Sequence, residues 1–361
     1  MDVLKLNSIS KLANPVLEGY NVTDTSENPI GILVRSFKMD EYALPSSVLA
    51  VARAGAGVNN IPHADYAKKG VCVFNTPGAN ANAVKELVIA ALIIGARNIS
   101  EAINWASTLK GDDVAKQVEK GKSQFAGNEI AGKTLCVLGL GAIGRKVAIS
   151  AHALGMNVVG YDPFISQAAK EEIPFVTIFD DMKASWSDAD FVTLHMPMTP
   201  DTKGLVNEQS IATMKDGVIL VNAARGELCD VAAIKSALQS KKIRKYVVDF
   251  PGEESVGTSG IVAIPHLGAS TQEAEDNCAV MAATELKDYI ENGNITNSVN
   301  LPNLKAPKSA THRYTVISTD TGENRFGGIS ATRNGIRYTI VDTEDELTLS
   351  GDDVIKARKV Y

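Results

Sequence analysis

Positive charge is in short supply in this chain. Lysine and arginine number 36 against 42 aspartates and glutamates, a formal net charge of −6 over 361 residues. No stretch concentrates positive potential, so neither nucleic acid nor an anionic membrane surface is an expected partner. Long apolar runs are also missing. The longest extends from Leu87 to Ala96, well short of the roughly eighteen residues a membrane span needs. Cysteine is sparse: Cys72, Cys136, Cys229 and Cys278 are scattered, and no two form a C-x-x-C pair. That excludes a disulfide scaffold and a thiolate metal cluster, and no metal site is expected. Cys72 and Cys136 lie in apolar strand patterns and read as reduced core thiols. The opening Met-Asp-Val-Leu-Lys-Leu-Asn contains no apolar core of the kind a secretory signal requires, so a cytoplasmic location is expected. What remains is ordinary for a globular protein, 45% hydrophobic and 22% charged. The length suffices for about two domains with proper cores.

The most informative stretch is Val137-Leu138-Gly139-Leu140-Gly141-Ala142-Ile143-Gly144. Three glycines in G-x-G-x-x-G spacing mean little alone. Here Leu135-Cys136-Val137-Leu138 reads as a buried strand leading into them. Ile143, Val147, Ala151 and Leu154 then recur at helical spacing, and a second strand, Val158 to Tyr161, ends in Asp162. Strand, tight turn, helix, strand, acid is the order of a dinucleotide site. Gly139 permits the turn, Gly141 admits a pyrophosphate to the helix N-terminus, and Gly144 allows close packing of helix on strand. Asp162 can accept hydrogen bonds from ribose hydroxyls and would repel a 2′-phosphate. Pro163-Phe164 supplies no arginine to receive one, so the expected cofactor is NAD rather than NADP.

About 138 residues precede this loop, enough for another domain. Val3–Leu6, Gly31–Val34, Leu49–Ala52 and Val71–Phe74 read as parallel strands of a small doubly wound sheet. A helix from about Asn82 to Asn98 follows, then a polar, lysine-rich segment, Glu101 to Ser123, that reads as a crossing between domains. Beyond the glycine loop come four more strands: Phe191–Leu194, Val218–Val221, Tyr246–Val248 and Ile261–Ile264. Ser270 with Glu273 forms a capping-box signature for a last long helix, which Gly293 closes. Past Asn303 the pattern turns to short alternating strands, Arg313–Ile317 and Arg337–Val341. The expected fold class is α/β, with two doubly wound parallel-sheet domains, a cleft between them and a small C-terminal α+β tail. The expected boundaries are 1–95 with 282–303, 96–281, and 304–361.

Open α/β sheets bind ligands beyond the carboxyl ends of their strands. There stand His195, Asn222, Asp249 and His266, with Arg225 and Glu253 a few residues further on. Taking a hydride from a secondary alcohol carbon requires a base for the hydroxyl proton, and a histidine titrating near neutrality suits that task. A carboxylate beside it would orient the imidazole. An arginine could grip a substrate carboxylate bidentately. The set Arg225, Glu253 and His266 therefore reads as catalytic, with His195 shaping the cofactor cleft. His63, His152 and His312 have no such context and read as structural. In the first domain, Arg35-Ser36 and Arg53-Ala54-Gly55-Ala56-Gly57 also follow strands, and could hold a phosphate or carboxylate through side chains and backbone N–H groups.

These motifs, with Asn75-Thr76-Pro77-Gly78, His195-Met196-Pro197, Asn222-Ala223-Ala224-Arg225-Gly226 and Pro265-His266-Leu267-Gly268, resemble the D-isomer-specific 2-hydroxyacid dehydrogenases over residues from about 30 to 303. Within them, the resemblance is to the branch acting on 3-phosphoglycerate. The resemblance implies His266 as acid/base, Glu253 as its carboxylate partner and Arg225 as the substrate-carboxylate anchor. It implies a cofactor site of Gly139, Gly141, Ile143, Gly144, Asp162, His195, Pro197, Ala223, Ala224, Arg225, Asp249, His266 and Gly268. Arg35 and Ser36 would meet the substrate phosphate, and Ala56 and Gly57 its carboxylate. It further implies NAD-dependent oxidation of D-3-phosphoglycerate to 3-phosphohydroxypyruvate, the entry to serine synthesis, by a homodimer or homotetramer. An unphosphorylated 2-hydroxy acid (glycerate, lactate) is the alternative substrate, and a non-catalytic NAD-sensing protein the alternative class. Two departures stand out. The family's Asp-Val-Phe-x-x-Glu is one residue short in Asp249-Phe250-Pro251-Gly252-Glu253-Glu254, so alignment selects Glu253 or Glu254. The tail resembles a serine-binding regulatory domain that lacks its usual intervening helix, and an assembly role is the plainer expectation.

Overall fold

The structure, a computed structural model, describes residues 1–361. It divides into two compact units, Met1–Asn80 with Gln272–Tyr361, and Ala81–Thr271.

The first unit begins with five strands, Asp2–Leu6 (β1), Asn21–Thr23 (β2), Gly31–Val34 (β3), Ala50–Arg53 (β4) and Cys72–Phe74 (β5). They form a fully parallel sheet in the order β2-β1-β3-β4-β5. The order reverses between β1 and β3, and the residue straight after β3 is Arg35. That is where a doubly wound sheet opens a crevice.

The second unit holds Thr134–Leu138 (β6), Asn157–Tyr161 (β7), Thr177–Phe179 (β8), Phe191–Leu194 (β9), Val218–Asn222 (β10), Ile243–Val248 (β11) and Ile261–Ala263 (β12). This parallel sheet runs β12-β11-β10-β9-β6-β7-β8. Its switch point lies between β6 and β9. Leu138 pairs with both Leu194 and Tyr161, so Gly139, His195 and Asp162 leave the sheet side by side. Strands β6, β9 and β10 are buried almost throughout, as expected for a parallel sheet covered on both faces.

The helix Ala81–Arg97 belongs to this second unit, which corrects the expected boundary at 95/96. Val88, Ala91, Leu92 and Ala96 join the core of β6 and β10. Gly95 lies so close to Ile219 that a β-carbon would meet its Cγ2 at 2.8 Å. The segment after it is helical, Ile99–Ala106 and Val114–Gly121, and Lys245 Nζ anchors it by donating to Glu101 at 2.5 Å and to Asn98 at 3.0 Å.

The long helix Gln272–Asn292 returns wholly to the first unit, ten residues earlier than the expected 282. It starts at Gln272, and the Ser270 hydroxyl donates to the His266 carbonyl at 3.4 Å. The last strands, His312–Thr319 (β13), Ile329–Arg333 (β14), Ile336–Thr343 (β15) and Val354–Lys359 (β16), make an antiparallel sheet in the order β14-β15-β13-β16. No helix interrupts it, so the tail is all-β rather than α+β. Nor does it stand apart: Ile317, Tyr338 and Ile340 share a core with Phe74, Leu286 and Tyr289, and the Tyr338 hydroxyl donates to the Gly293 carbonyl at 2.5 Å.

Arg313, 1% exposed, ties this junction together. It holds both oxygens of Asp342 at 2.6 Å and donates to the carbonyls of Asn292, Ala306 and Pro307. Breaking a buried pair from one side leaves a charge uncompensated, so Arg313→Met is expected to destabilise the first unit by about 3–5 kcal/mol in denaturant unfolding. The Arg313 hydrogen bonds hold the Asp342 carboxyl below its ordinary 3.8. A depressed carboxyl pKa stabilises the fold above the unfolded value. This part of the stability is therefore lost as pH falls below about 4.

Candidate functional site

Each glycine of the loop has a separate cause. Gly139 has φ +91°, and a β-carbon there would strike the His195–Met196 backbone at 2.8–2.9 Å. Gly144 lies under its own turn, where a β-carbon would overlap the Gly139 carbonyl oxygen. Gly141 differs. Its dihedrals, φ −67° and ψ −163°, suit any residue, and a β-carbon would meet no protein atom within 4 Å. The protein itself does not require glycine there. The space a side chain would fill lies at the N-terminus of the helix Ala142–Ala153, whose first N–H groups have no intrahelical acceptor. That is room for an anionic group at close range.

Asp162, half-buried at the end of β7, accepts from Leu140 N at 2.8 Å and Phe164 N at 2.9 Å. Both oxygens keep lone pairs for ribose hydroxyls. Arg145, on the first turn of the following helix, pairs with Glu172 and donates to the Leu140 carbonyl. Asp162→Ala is expected to raise KM for NAD about ten- to hundredfold, as loss of charge-assisted hydrogen bonds implies. Parallel titrations with NAD and NADP should show the preference for NAD collapse. His195 sits against the same loop. Its ring takes a hydrogen bond with Thr193 Oγ1 at 3.0 Å, while Nδ1 is buried without a partner. Burial drives its pKa down to about 3, so it is a neutral ring and no acid/base. The open cradle at Gly141, the acceptor at Asp162 and the orphaned His195 nitrogen fit a dinucleotide. Ile143 packs on the apolar core behind the loop, and Pro197 is exposed just beyond His195.

The catalytic candidates gather at the ends of β10, β11 and β12. Asn222, fully buried, donates to the Arg225 carbonyl at 2.8 Å and to Tyr246 Oη at 3.2 Å, and accepts from Ala224 N at 3.1 Å. It thereby shapes the Ala223–Arg225 turn. Arg225 itself is half-buried with no carboxylate partner. Its guanidinium donates to the Ala224 carbonyl at 2.6 Å and stacks 5.4 Å from the Phe250 ring centroid. On that same ring, at 4.2 Å, lies the exposed imidazole of His266.

His266 has φ +54°, a backbone conformation that costs a non-glycine residue roughly 1–3 kcal/mol. Asp249 holds it there. That carboxylate, 2% exposed, accepts from Leu267 N at 2.7 Å and Gly268 N at 2.8 Å. Burial nonetheless pushes its pKa above the ordinary value. Gly268 is required by the same contact, since a β-carbon would meet Asp249 Oδ2 at 2.9 Å.

Glu253 is not beside His266. It and Glu254 are exposed, and neither makes a hydrogen bond or ion pair to the imidazole. The shortened segment explains this. Phe250 occupies the face of the ring, and the turn closed by Ser255 N to the Gly252 carbonyl at 2.9 Å directs both acids to solvent. Two asparagines already present in the sequence motifs hold these turns, Asn222 here and Asn75 in the first unit.

In the first unit, Asn75 Nδ2 donates to the Ala56 carbonyl at 2.6 Å and Thr76 N to the Gly55 carbonyl at 3.1 Å. The loop carbonyls are thus turned inward. The N–H groups of Ala56 and Gly57 form no bond within the protein, leaving two donors for an anion. Arg53 Nε donates to the Arg35 carbonyl at 3.1 Å. The Arg35 guanidinium pairs with Glu275 at 2.6 Å, and Ser36 is exposed beside it.

Comparison with known proteins identifies the family. The model of the D-isomer specific 2-hydroxyacid dehydrogenase NAD binding domain matches residues 89–270. A Methanocaldococcus jannaschii protein named D-3-phosphoglycerate dehydrogenase is 38% identical over 264 residues, 72% of this chain and 48% of its own length. A Rattus norvegicus protein of the same name is 36% identical over 284 residues, 75% of this chain and 50% of its own. The chain thus spans about half the length of the curated relatives it matches. The NAD+-bound 3-phosphoglycerate dehydrogenase of Entamoeba histolytica has 25% identity and a TM-score of 0.66, over 83% of this chain and 98% of that one. No helix is long and apolar enough to cross a membrane, no cluster of metal-binding side chains occurs, and all four cysteines are buried and unpaired.

Proposed function

Because the chain belongs to the D-isomer-specific 2-hydroxyacid dehydrogenase family, we propose that it oxidises D-3-phosphoglycerate to 3-phosphohydroxypyruvate, the first step of serine synthesis. NAD, the cofactor of the matched domain, supplies the hydride acceptor. The observation that carries the reading is the pair of Arg225 and His266 on one aromatic ring, Phe250, at the carboxyl end of a dinucleotide-binding sheet. His266 takes the proton of the substrate hydroxyl as the alcohol carbon is oxidised. Exposed, and with no carboxylate hydrogen-bonded to its ring, it passes that proton to water. Arg225, with no acid of its own, binds the substrate carboxylate through parallel N–H donors and polarises the adjacent carbonyl. Arg35 and Ser36 read the phosphate, and the Ala56 and Gly57 N–H groups add donors to a carboxylate oxygen.

Glu253, the catalytic partner that the family resemblance implies, plays no part in this reading of the proton transfer. The relatives' names support phosphoglycerate over glycerate or lactate. We place the protein in the cytoplasm, where four unpaired thiols stay reduced, as a homodimer or homotetramer with no nucleic-acid or membrane partner. The test is NADH consumption with 2-oxo acids. Turnover is expected; its absence with every 2-oxo acid, in protein that still binds NADH, would favour an NAD-sensing role.

A further inference from the structure

The family reading uses Arg35 as a phosphate anchor, yet the structure gives that arginine an acid of its own. Glu275 stands on the first turn of the helix Gln272–Asn292 and holds Arg35 at 2.6 Å, each side chain about one-third exposed. One turn further, Cys278 packs beside Thr76, close to the charges of Arg53, Arg35 and Glu275. This helix face therefore looks onto the carboxyl ends of β3 and β4, where both arginines emerge. Glu275 cancels one of the two positive charges that would meet a phosphate dianion. It also occupies one N–H edge of the guanidinium, leaving the remaining donors for the ligand.

On the reading that the substrate is phosphorylated, we propose that Glu275 is a specificity-determining residue. It shares Arg35 with the substrate phosphate and limits how tightly the phosphorylated end binds. A carboxylate fixed next to an incoming dianion repels it, and at a site about one-third exposed this repulsion is partly screened. Glu275 thus trades affinity for release of a product that carries a phosphate dianion.

The test compares kcat/KM for 3-phosphohydroxypyruvate with that for hydroxypyruvate in the wild type, Glu275→Gln and Glu275→Ala. Removing the charge is expected to raise the preference for the phosphorylated substrate about three- to tenfold, through KM rather than kcat, the range a partly screened charge contact supports. Both variants should shift in the same direction, which separates charge from shape. A wild type that prefers the phosphorylated substrate, with a ratio unchanged or lowered in both variants, overturns the inference. A wild type that takes both substrates equally overturns the substrate reading beneath it.

Discussion

His266→Ala is expected to lower kcat for 3-phosphohydroxypyruvate reduction by about 10²–10⁴-fold, the range for loss of a positioned acid/base, while NADH binding is retained. The separation follows from geometry. In the proposed function the dinucleotide is held at Gly139–Gly144 and Asp162, whereas His266 sits at the end of a different strand and is exposed. Alanine also inherits φ +54°, which disfavours it. His266→Asn is therefore the companion variant, because asparagine tolerates left-handed backbone. Both should lose turnover; a difference in thermal stability between them would report the backbone strain alone. Pre-steady-state reduction and NADH fluorescence titration separate the two effects. Full kcat in His266→Asn would remove the imidazole from the chemistry.

Arg225→Lys is expected to cost about 10²–10³-fold in kcat/KM, comparable to losing one donor aimed at developing charge. Lysine keeps the charge but not the planar fork that binds a carboxylate through two parallel hydrogen bonds, and it stacks poorly on Phe250. The arginine has no internal acid to leave unpaired, so the fold should be nearly indifferent to the change. A matched loss of kcat and kcat/KM would mean that the contact tightens in the transition state. A rise in KM alone would make it a simple binding contact.

Much of this was readable in the chain. The glycine loop, the stripe Ile143-Val147-Ala151 and Asp162 are local in sequence, and a parallel sheet buries its central strands as unbroken apolar runs. Short or polar edge strands escaped: β2, β8, β14 and β16 carry few buried residues, so no pattern announced them. The helix Ala81–Arg97 was visible as a helix, but not which unit it serves. That depends on contacts with Ile219 and Val247, far along the chain. The same holds for the Arg35–Glu275 pair, 240 residues apart in sequence. At Glu253 the motif's spacing suggested a partnership that the missing residue undoes. A turn directs the side chains within it, and periodicity does not reveal that direction.

The proposed function requires that a phosphorylated 2-hydroxy acid be the substrate. The most direct measurement is kcat/KM for NADH-dependent reduction of 3-phosphohydroxypyruvate, hydroxypyruvate and pyruvate under one set of conditions. The phosphorylated substrate is expected to be preferred by about a hundredfold or more, as charge-assisted hydrogen bonds to its phosphate imply. Similar values for all three substrates would contradict it.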